Sequence, residues 1–250
     1  MTKTNKVKAG KLRTLWIIVM SCLYTANTCG QAAIRGLFGI INRPWCDHAL
    51  RLYVKRVLKL VGVTCKVVNP DNVQPIPGQP TIVMCNHSSL YDIPLSLVAF
   101  PNHSLRMLAK KELGKIPIMG QGMAAAEFPL IDRQNRAQAT KDLEYAKQLL
   151  ISGILMWIAP EGTRSESGRL APFKKGGFIT AIQAGAVIIP MGIRGANAIL
   201  PARTHQFNLN ESVEVHIGKP VDASKFTLEN KEELIDLVFQ EMKQLVGESL

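Results

Sequence analysis

The sequence predicts an α/β fold: a mixed, largely buried sheet flanked by helices, preceded by an N-terminal two-helix motif that docks on a membrane. Three observations predict it. From Leu60 onward short apolar runs alternate with stretches of helical period, the pattern of strands and helices packed about one sheet. Leu15 to Ile34 is a mostly apolar segment of about 20 residues, the length that crosses a bilayer. Residues 45–62 then oppose an apolar stripe to a face carrying bases alone, as in a helix lying among anionic headgroups. The chain is therefore divided into residues 1–62, a basic arm and membrane-associated helical hairpin, and residues 63–250, the α/β domain.

The arm, residues 1–13, carries Lys3, Lys6, Lys8, Lys11 and Arg13 and no acid. The apolar segment after it is diluted by Ser21, Thr25, Asn27, Thr28 and Gln31, and no small-residue cleavage site marks it as a signal peptide. Pro44 breaks it. In residues 45–62 the stripe is Trp45, Ala49, Leu50, Tyr53, Val54, Val57, Leu58 and Val61, with Arg51, Lys55, Arg56 and Lys59 opposite. A surface helix facing a core has the same period, so that is the alternative reading. Bases flank the apolar segment on both sides, so charge does not assign a topology. A monotopic or re-entrant arrangement, keeping the whole chain on the cytosolic face, is preferred to a full span.

The expected strands are Val61–Val68, Thr81–Cys85, Leu105–Ala109, Phe128–Ile131, Ile154–Ile158, Ala186–Ile193 and Val213–Ile217. Between them, helices are expected over Gln134–Ser152 and Gly177–Ala184, and a last one over Lys231–Leu245 with Leu234, Leu237, Val238, Met242 and Leu245 on one face. The formal charge of +11 points to an anionic partner: nucleic acid, anionic lipid or a phosphorylated small molecule. With aromatics at 6% there is no base-stacking platform and no zinc motif, which argues against nucleic acid. Five cysteines without a C-x-x-C pair give neither a metal site nor a disulfide framework.

Four blocks fall at the ends of expected strands, where open α/β sheets bind ligands. Asn86-His87-Ser88-Ser89-Leu90-Tyr91-Asp92 follows the run ending at Cys85, and Asp92-Ile93-Pro94 reads as a helix start. Five residues on a regular helix diverge by about 140°, so His87 and Asp92 meet only if Ser88 and Ser89 fold His87 back over that start. Otherwise Asp92 is only an N-cap. The other blocks are Asp132-Arg133, Ala159-Pro160-Glu161-Gly162-Thr163-Arg164-Ser165, and Ile188-Ile189-Pro190-Met191. Together they supply a base, two arginines, a carboxylate and a Gly-Thr turn.

This ordered set resembles the glycerolipid acyltransferase family, and within it the 1-acylglycerol-3-phosphate acyltransferases. Residues 86–92 match the family's first motif. Phe128-Pro129-Leu130-Ile131-Asp132-Arg133 with Asn135-Arg136 match the second, Pro160–Ser165 the third and Val187–Pro190 the fourth. Two departures are Ala159, where an aromatic residue is usual, and Glu127, where a small or apolar residue is usual.

The resemblance implies transfer of a fatty acyl group from a thioester to the sn-2 hydroxyl of lysophosphatidic acid, with His87 as general base and Asp92 fixing its tautomer. Arg133 and Arg164 are expected to grip the acceptor phosphate, with Lys110 and Lys174 adding charge. Glu161 is expected to orient the arginines or a glycerol hydroxyl. Gly162 and Thr163 would bring backbone N–H groups to the anion. No metal and no cofactor is implied beyond acyl-CoA or acyl carrier protein as co-substrate. Expected partners are lysophosphatidic acid and an anionic membrane surface. Other readings are acylation of a different lysolipid, or a non-catalytic basic lipid-binding protein. His48, His103, His205 and His216 have no carboxylate at a suggestive spacing and are assigned no role.

Overall fold

The structure, a computed structural model, describes residues 7–132 and 134–248. A short strand β1 (Val7–Lys8) leads into the 27-residue helix α1 (Lys11–Leu37), and α2 (Arg43–Val61) follows. The two helices run antiparallel. The Arg13 guanidinium donates to the Leu60 carbonyl at 2.8 Å, Arg56 lies over the Tyr24 ring, and Arg35 lies over Trp45. The start of α2 is set by Asn42, whose side chain accepts from the Trp45 N–H, and by Pro44 in the first turn. Its end is set by Gly62 at φ 68°, a left-handed stop.

The remaining elements are β2 (Thr64–Val68), β3 (Thr81–Cys85), α3 (Asp92–Ala99), β4 (Leu105–Met107), β5 (Ala109–Lys110), α4 (Met119–Ala125), β6 (Leu130–Ile131), α5 (Arg136–Ile151), β7 (Leu155–Ile158), α6 (Gly176–Gln183), β8 (Val187–Arg194), the single turn α7 (Ala196–Ile199), β9 (Asn208–Leu209), β10 (Ser212–Ile217), β11 (Val221–Asp222) and α8 (Lys231–Val246). The main sheet has the order β2-β10-β8-β3-β7-β4, with β11 also paired to β8. Strands β8, β3, β7 and β4 are mutually parallel, and β10 turns antiparallel to β8. The expected mixed, buried α/β sheet is therefore present.

Side chains alternate across it as a strand's period of two requires. Ile82, Met84, Met156, Ile158 and Ile188 pack with α5, α6 and α8 on one face. Val83, Cys85, Leu155, Trp157, Ile189 and Met191 pack with α3 and the end of α2 on the other. Coverage on both faces explains why β3 is a continuous apolar run.

Several expectations are corrected. The Phe128–Ile131 run shortens to β6, which pairs with β5 outside the main sheet. Glu127 turns the chain with φ 61° and Pro129 has no N–H to give. The apolar stripe of α2 faces the protein, with Cys46, Val54, Val57 and Val61 buried, so the surface-helix alternative holds for that segment. The exposed apolar surface belongs to α1 instead: Leu12, Leu15, Trp16, Val19, Leu23, Ile34 and Leu37 all face outward. By length and composition α1 could cross a membrane.

Helix α4 was not foreseen, because seven residues carry too little periodicity. It exists by packing on α1 through small residues. A Cβ at Gly122 would sit 2.6 Å from Cys29 Cβ, and one at Gly36 would sit 2.8 Å from Ala125 Cβ. Just before it, Ile118 takes φ 67° and ψ −51°, costly for a β-branched residue by on the order of 1–3 kcal/mol.

A polar knot fastens the hairpin to the sheet. Arg106, wholly buried on β4, donates to the Ala126 carbonyl at 2.7 Å and to Asp47 of α2 at 2.8 Å. Ser104 also donates to Asp47, at 2.6 Å. Arg43, at the start of α2, makes a two-pronged pair with Glu127 and donates to the Ser152 carbonyl at the end of α5. Glu127, unusual by family resemblance, is thus matched by a base from the hairpin, which holds its carboxyl below the usual Glu value.

Candidate active site

The site is built where β3 and β7 end side by side, with Met84 opposite Ile158. Asn86 is the first polar residue after β3, and its amide replaces a ladder partner. It accepts from the Ile193 N–H at 2.7 Å and donates to the Ile193 carbonyl at 3.0 Å. That clamp pins the end of β3 to β8 and aims the next residue, His87, out of the sheet.

The turn required by the five-residue spacing forms. Oδ2 of Asp92 accepts from the N–H groups of Ser88 and Ser89 at 2.6 and 2.8 Å and lies 2.8 Å from His87 Nδ1. Asp92 is the first residue of α3 and completely buried, so the helix dipole favours its charge. An Nδ1–H donated to Asp92 leaves Nε2 of the ring as the free acceptor. Behind the ring, Trp157 meets it edge-on with centroids 5.7 Å apart. The Trp157 indole N–H donates to Ser96 Oγ at 2.8 Å, and Ser96 donates to the Asp92 carbonyl at 2.7 Å. Sequence reasoning included Asn86 in the first block without giving it a role, and missed Ser96 and Trp157. Ser96, four residues past Asp92 on one helix face, was the available signal.

Both carboxylate oxygens of Glu161 are engaged by backbone N–H groups. Its Oε1 accepts from the His87 N–H at 2.8 Å and its Oε2 from the Ala171 N–H at 3.0 Å. Burial pushes its carboxyl up from the usual Glu value, opposed by these two N–H bonds. The Ser165 N–H also donates to the His87 carbonyl at 2.7 Å. The third block is thus stitched directly to the backbone of His87. Gly162, at φ 80°, makes the turn between Glu161 and Thr163.

Cys85, two residues before His87, is fully buried, and burial pushes its thiol well above its ordinary value, with the Asp92 charge adding to the effect. It stays protonated and is no nucleophile. Next to the loop, a cavity of about 320 Å³ lies between α1, α2, α3 and α4. Its walls include Ile93, Leu97, Met107, Met123 and Phe128, and it reaches Leu90 inside the first block.

Residues 64–194, more than half of the chain and including all four blocks, match the family model described as acyltransferase. The chain belongs to the acyltransferase family. Relatives of this acyltransferase include a 1-acyl-sn-glycerol-3-phosphate acyltransferase of Saccharomyces cerevisiae, 31% identical over 85% of this chain and 73% of that protein. A chloroplastic enzyme of the same name from Arabidopsis thaliana is 28% identical over 73% of this chain and 49% of its own length. The chain spans about half the length of the chloroplastic relatives it matches. Among solved structures, the 1-acyl-sn-glycerophosphate acyltransferase PlsC of Thermotoga maritima superposes with a TM-score of 0.76 at 27% identity, covering 93% of this chain and 92% of that one.

The other residues singled out in this acyltransferase's sequence are placed as follows. Arg164 is half-buried, on the loop that Ser165 ties to His87, and its guanidinium has no partner among the described residues. Thr163 and Lys174 are exposed, and the Lys174 N–H donates to the Pro160 carbonyl at 2.7 Å, bringing Lys174 back beside the Glu161 turn. Lys110 is exposed at the end of β5, opposite Ile131. Arg133 lies outside the described residues, as does the side chain of Arg136. The fourth block, expected at a strand end, lies inside β8, where Pro190 stands opposite Met84. His216 does have a carboxylate partner: its Nε2 lies 2.9 Å from Glu214. Two positions apart on β10, the two side chains share one face of the strand. Among the described residues no cluster of His, Cys, Asp or Glu has the makings of a metal site.

Proposed function

We propose that this acyltransferase moves a fatty acyl group from an acyl thioester to the sn-2 hydroxyl of lysophosphatidic acid at a membrane surface, giving phosphatidic acid. The observation that carries the reading is the His87–Asp92 pair, 2.8 Å apart with the carboxylate fully buried. The names of the relatives support the choice of acceptor.

Nε2 of His87 takes the proton of the acceptor hydroxyl as its oxygen attacks the thioester carbonyl. Asp92 holds the ring in the required tautomer and stabilises the imidazolium, all the more because the carboxylate is screened from water. Collapse of the tetrahedral intermediate expels the thiolate, which takes up the proton, so no covalent acyl-enzyme is formed. The buried Cys85 thiol is in keeping with direct attack. Arg164, with Arg133, Lys110 and Lys174, holds the acceptor phosphate. Glu161 acts through the backbone of His87 as a positioning residue. The apolar cavity beside Leu90 takes acyl chain.

The outward apolar face of α1 supports docking on the bilayer, and the monotopic arrangement keeps the site on the cytosolic face. On this reading the donor is acyl-CoA or acyl carrier protein, and no further cofactor is needed. The test is purified protein with a radiolabelled acyl-CoA or acyl carrier protein and a panel of lysolipids. Labelled phosphatidic acid from lysophosphatidic acid is the expected product. Labelling of another lysolipid alone would replace the acceptor, and no acylation of any would leave a lipid-binding protein.

A further inference from the structure

We infer that the segment Lys115–Ile118 is a second bilayer contact, completing a surface of which α1 supplies only part; this rests on the membrane-docked reading above. The apolar ridge of α1 has a gap. At 100° per residue, Leu12, Trp16, Val19, Leu23, Ile34 and Leu37 lie within about 40° of Gly30 around the axis of α1, and all six are exposed. Between Leu23 and Ile34 the ridge is interrupted by Ala26, Asn27 and Gly30 itself. A Cβ on Gly30 would find Ile118 Cγ2 3.5 Å away as its nearest neighbour. The side chain that fills the gap in α1 therefore comes from another part of the chain.

Ile118 reaches that place in a positive-φ backbone conformation that β-branched residues avoid, although 49% of it stays exposed. Ile116 is exposed as well, at 44%, and so is Pro117 between them. Three consecutive apolar residues, the last in a strained conformation, thus stay exposed on this turn. Lys110, Lys111 and Lys115 precede them and are exposed. Lys111 faces Asp132 at 3.3 Å and Glu112 lies among them, leaving a net positive flank. Apolar tips beside lysines, continuous with a long apolar helix face, suit the headgroup and acyl boundary of an anionic bilayer. The residues that flank the segment point elsewhere: Leu113 and Met119 line the cavity between α1, α2, α3 and α4. The contact thus sets the cavity wall against the bilayer.

The test adds a reporter to the full chain. Ile116→Trp is compared with the parent, which keeps Trp16, Trp45 and Trp157, in equimolar phosphatidylcholine–phosphatidylglycerol vesicles. The extra emission is expected to be quenched by brominated lipid and to become several-fold less sensitive to iodide when vesicles are added. Ile118→Gly, whose backbone suits the positive φ, is expected to keep its melting temperature and to bind the vesicles more weakly. If the parent floats with vesicles while the reporter stays open to iodide, the inference is overturned and the docking of α1 stands. If the parent does not float, both fall. Iodide protection without vesicles that grows with protein concentration would assign the surface to a second copy and overturn the inference. Acyl transfer is not needed for the readout, so an inactive protein whose reporter is quenched by lipid would refute the proposed reaction and leave this contact standing.

Discussion

The loop that carries His87 and the hairpin of α1 and α2 are fastened by opposite means. Two buried carboxylates hold the loop: Asp92 gathers the ring and the N–H groups of Ser88 and Ser89, and Glu161 takes the N–H groups of His87 and Ala171. The N–H and C=O of His87 and the N–H groups of Ser88 and Ser89 are all assigned, which holds the His87 ring in one place. The hairpin, by contrast, is held near its turn by the Arg106–Asp47 and Arg43–Glu127 pairs and by small residues of the second half of α1 against α4, and along α2 by the buried stripe of that helix. Much of its apolar surface is left facing outward. One region is complete within the chain; the other is complete only against something apolar. Reaction and anchoring should therefore be separable by mutation.

His87→Ala breaks that comparison most sharply if it is wrong. The substitution should lower turnover by ~10²–10⁴, the worth of a positioned base, with vesicle binding and melting temperature unchanged. Near-parent turnover in a steady-state assay would remove His87 from the mechanism. Next is Arg106→Met, which strands Asp47 in a largely buried place and should cost about 3–5 kcal/mol of stability by chemical denaturation. Adding Asp47→Leu should recover a large part of that loss, since the pair is then replaced by apolar groups. A single variant as stable as the parent would show that the knot does not hold the hairpin.

Gly122→Ala should cost about 1–3 kcal/mol, the usual penalty of overpacking, because the added Cβ meets Cys29 on α1. Limited proteolysis should open α1 before the α/β domain. An unchanged digestion pattern would mean that the contact is looser than described. The smallest expected effect concerns Glu161. Its carboxyl is raised by burial, so the folded state holds that proton more tightly than the unfolded state. Its contribution to stability is full below the unfolded Glu value, about 4.3, and is lost as pH rises through the higher folded value. Melting curves across that window should show Glu161→Gln lacking this decline. Parallel pH profiles for parent and variant would contradict the raised carboxyl.

Much of this architecture was readable in advance because it depends on local pattern. Strands covered on both faces, such as Thr81–Cys85, show as apolar runs, and α5 and α8 show by their period within two residues of their observed ends. The His87–Asp92 pairing was also legible, since a short turn before a helix start allows few geometries. Other features were not, because they join segments distant in sequence. Asn86 closes a ladder with Ile193, Arg106 finds Asp47, and Ile118 fills the gap at Gly30. The stripe of α2 shows the limit plainly: apolar residues at helical spacing require a partner but do not say whether it is lipid or protein.

The order and spacing of side chains by themselves indicated most strands of the sheet and the longer helices, and singled out His87 and Asp92 as a pair that a short turn could join, because backbone periodicity and short turns act over a few residues. Only the tertiary structure decided that Glu161 accepts from the backbone of His87, that α2 turns its apolar side inward, and that Ile118, 88 residues later in the chain, sits against Gly30 in the gap of the α1 ridge. The physical reason is that burial and hydrogen-bond satisfaction are settled among whichever groups the folded chain brings together, and sequence distance carries no record of those meetings.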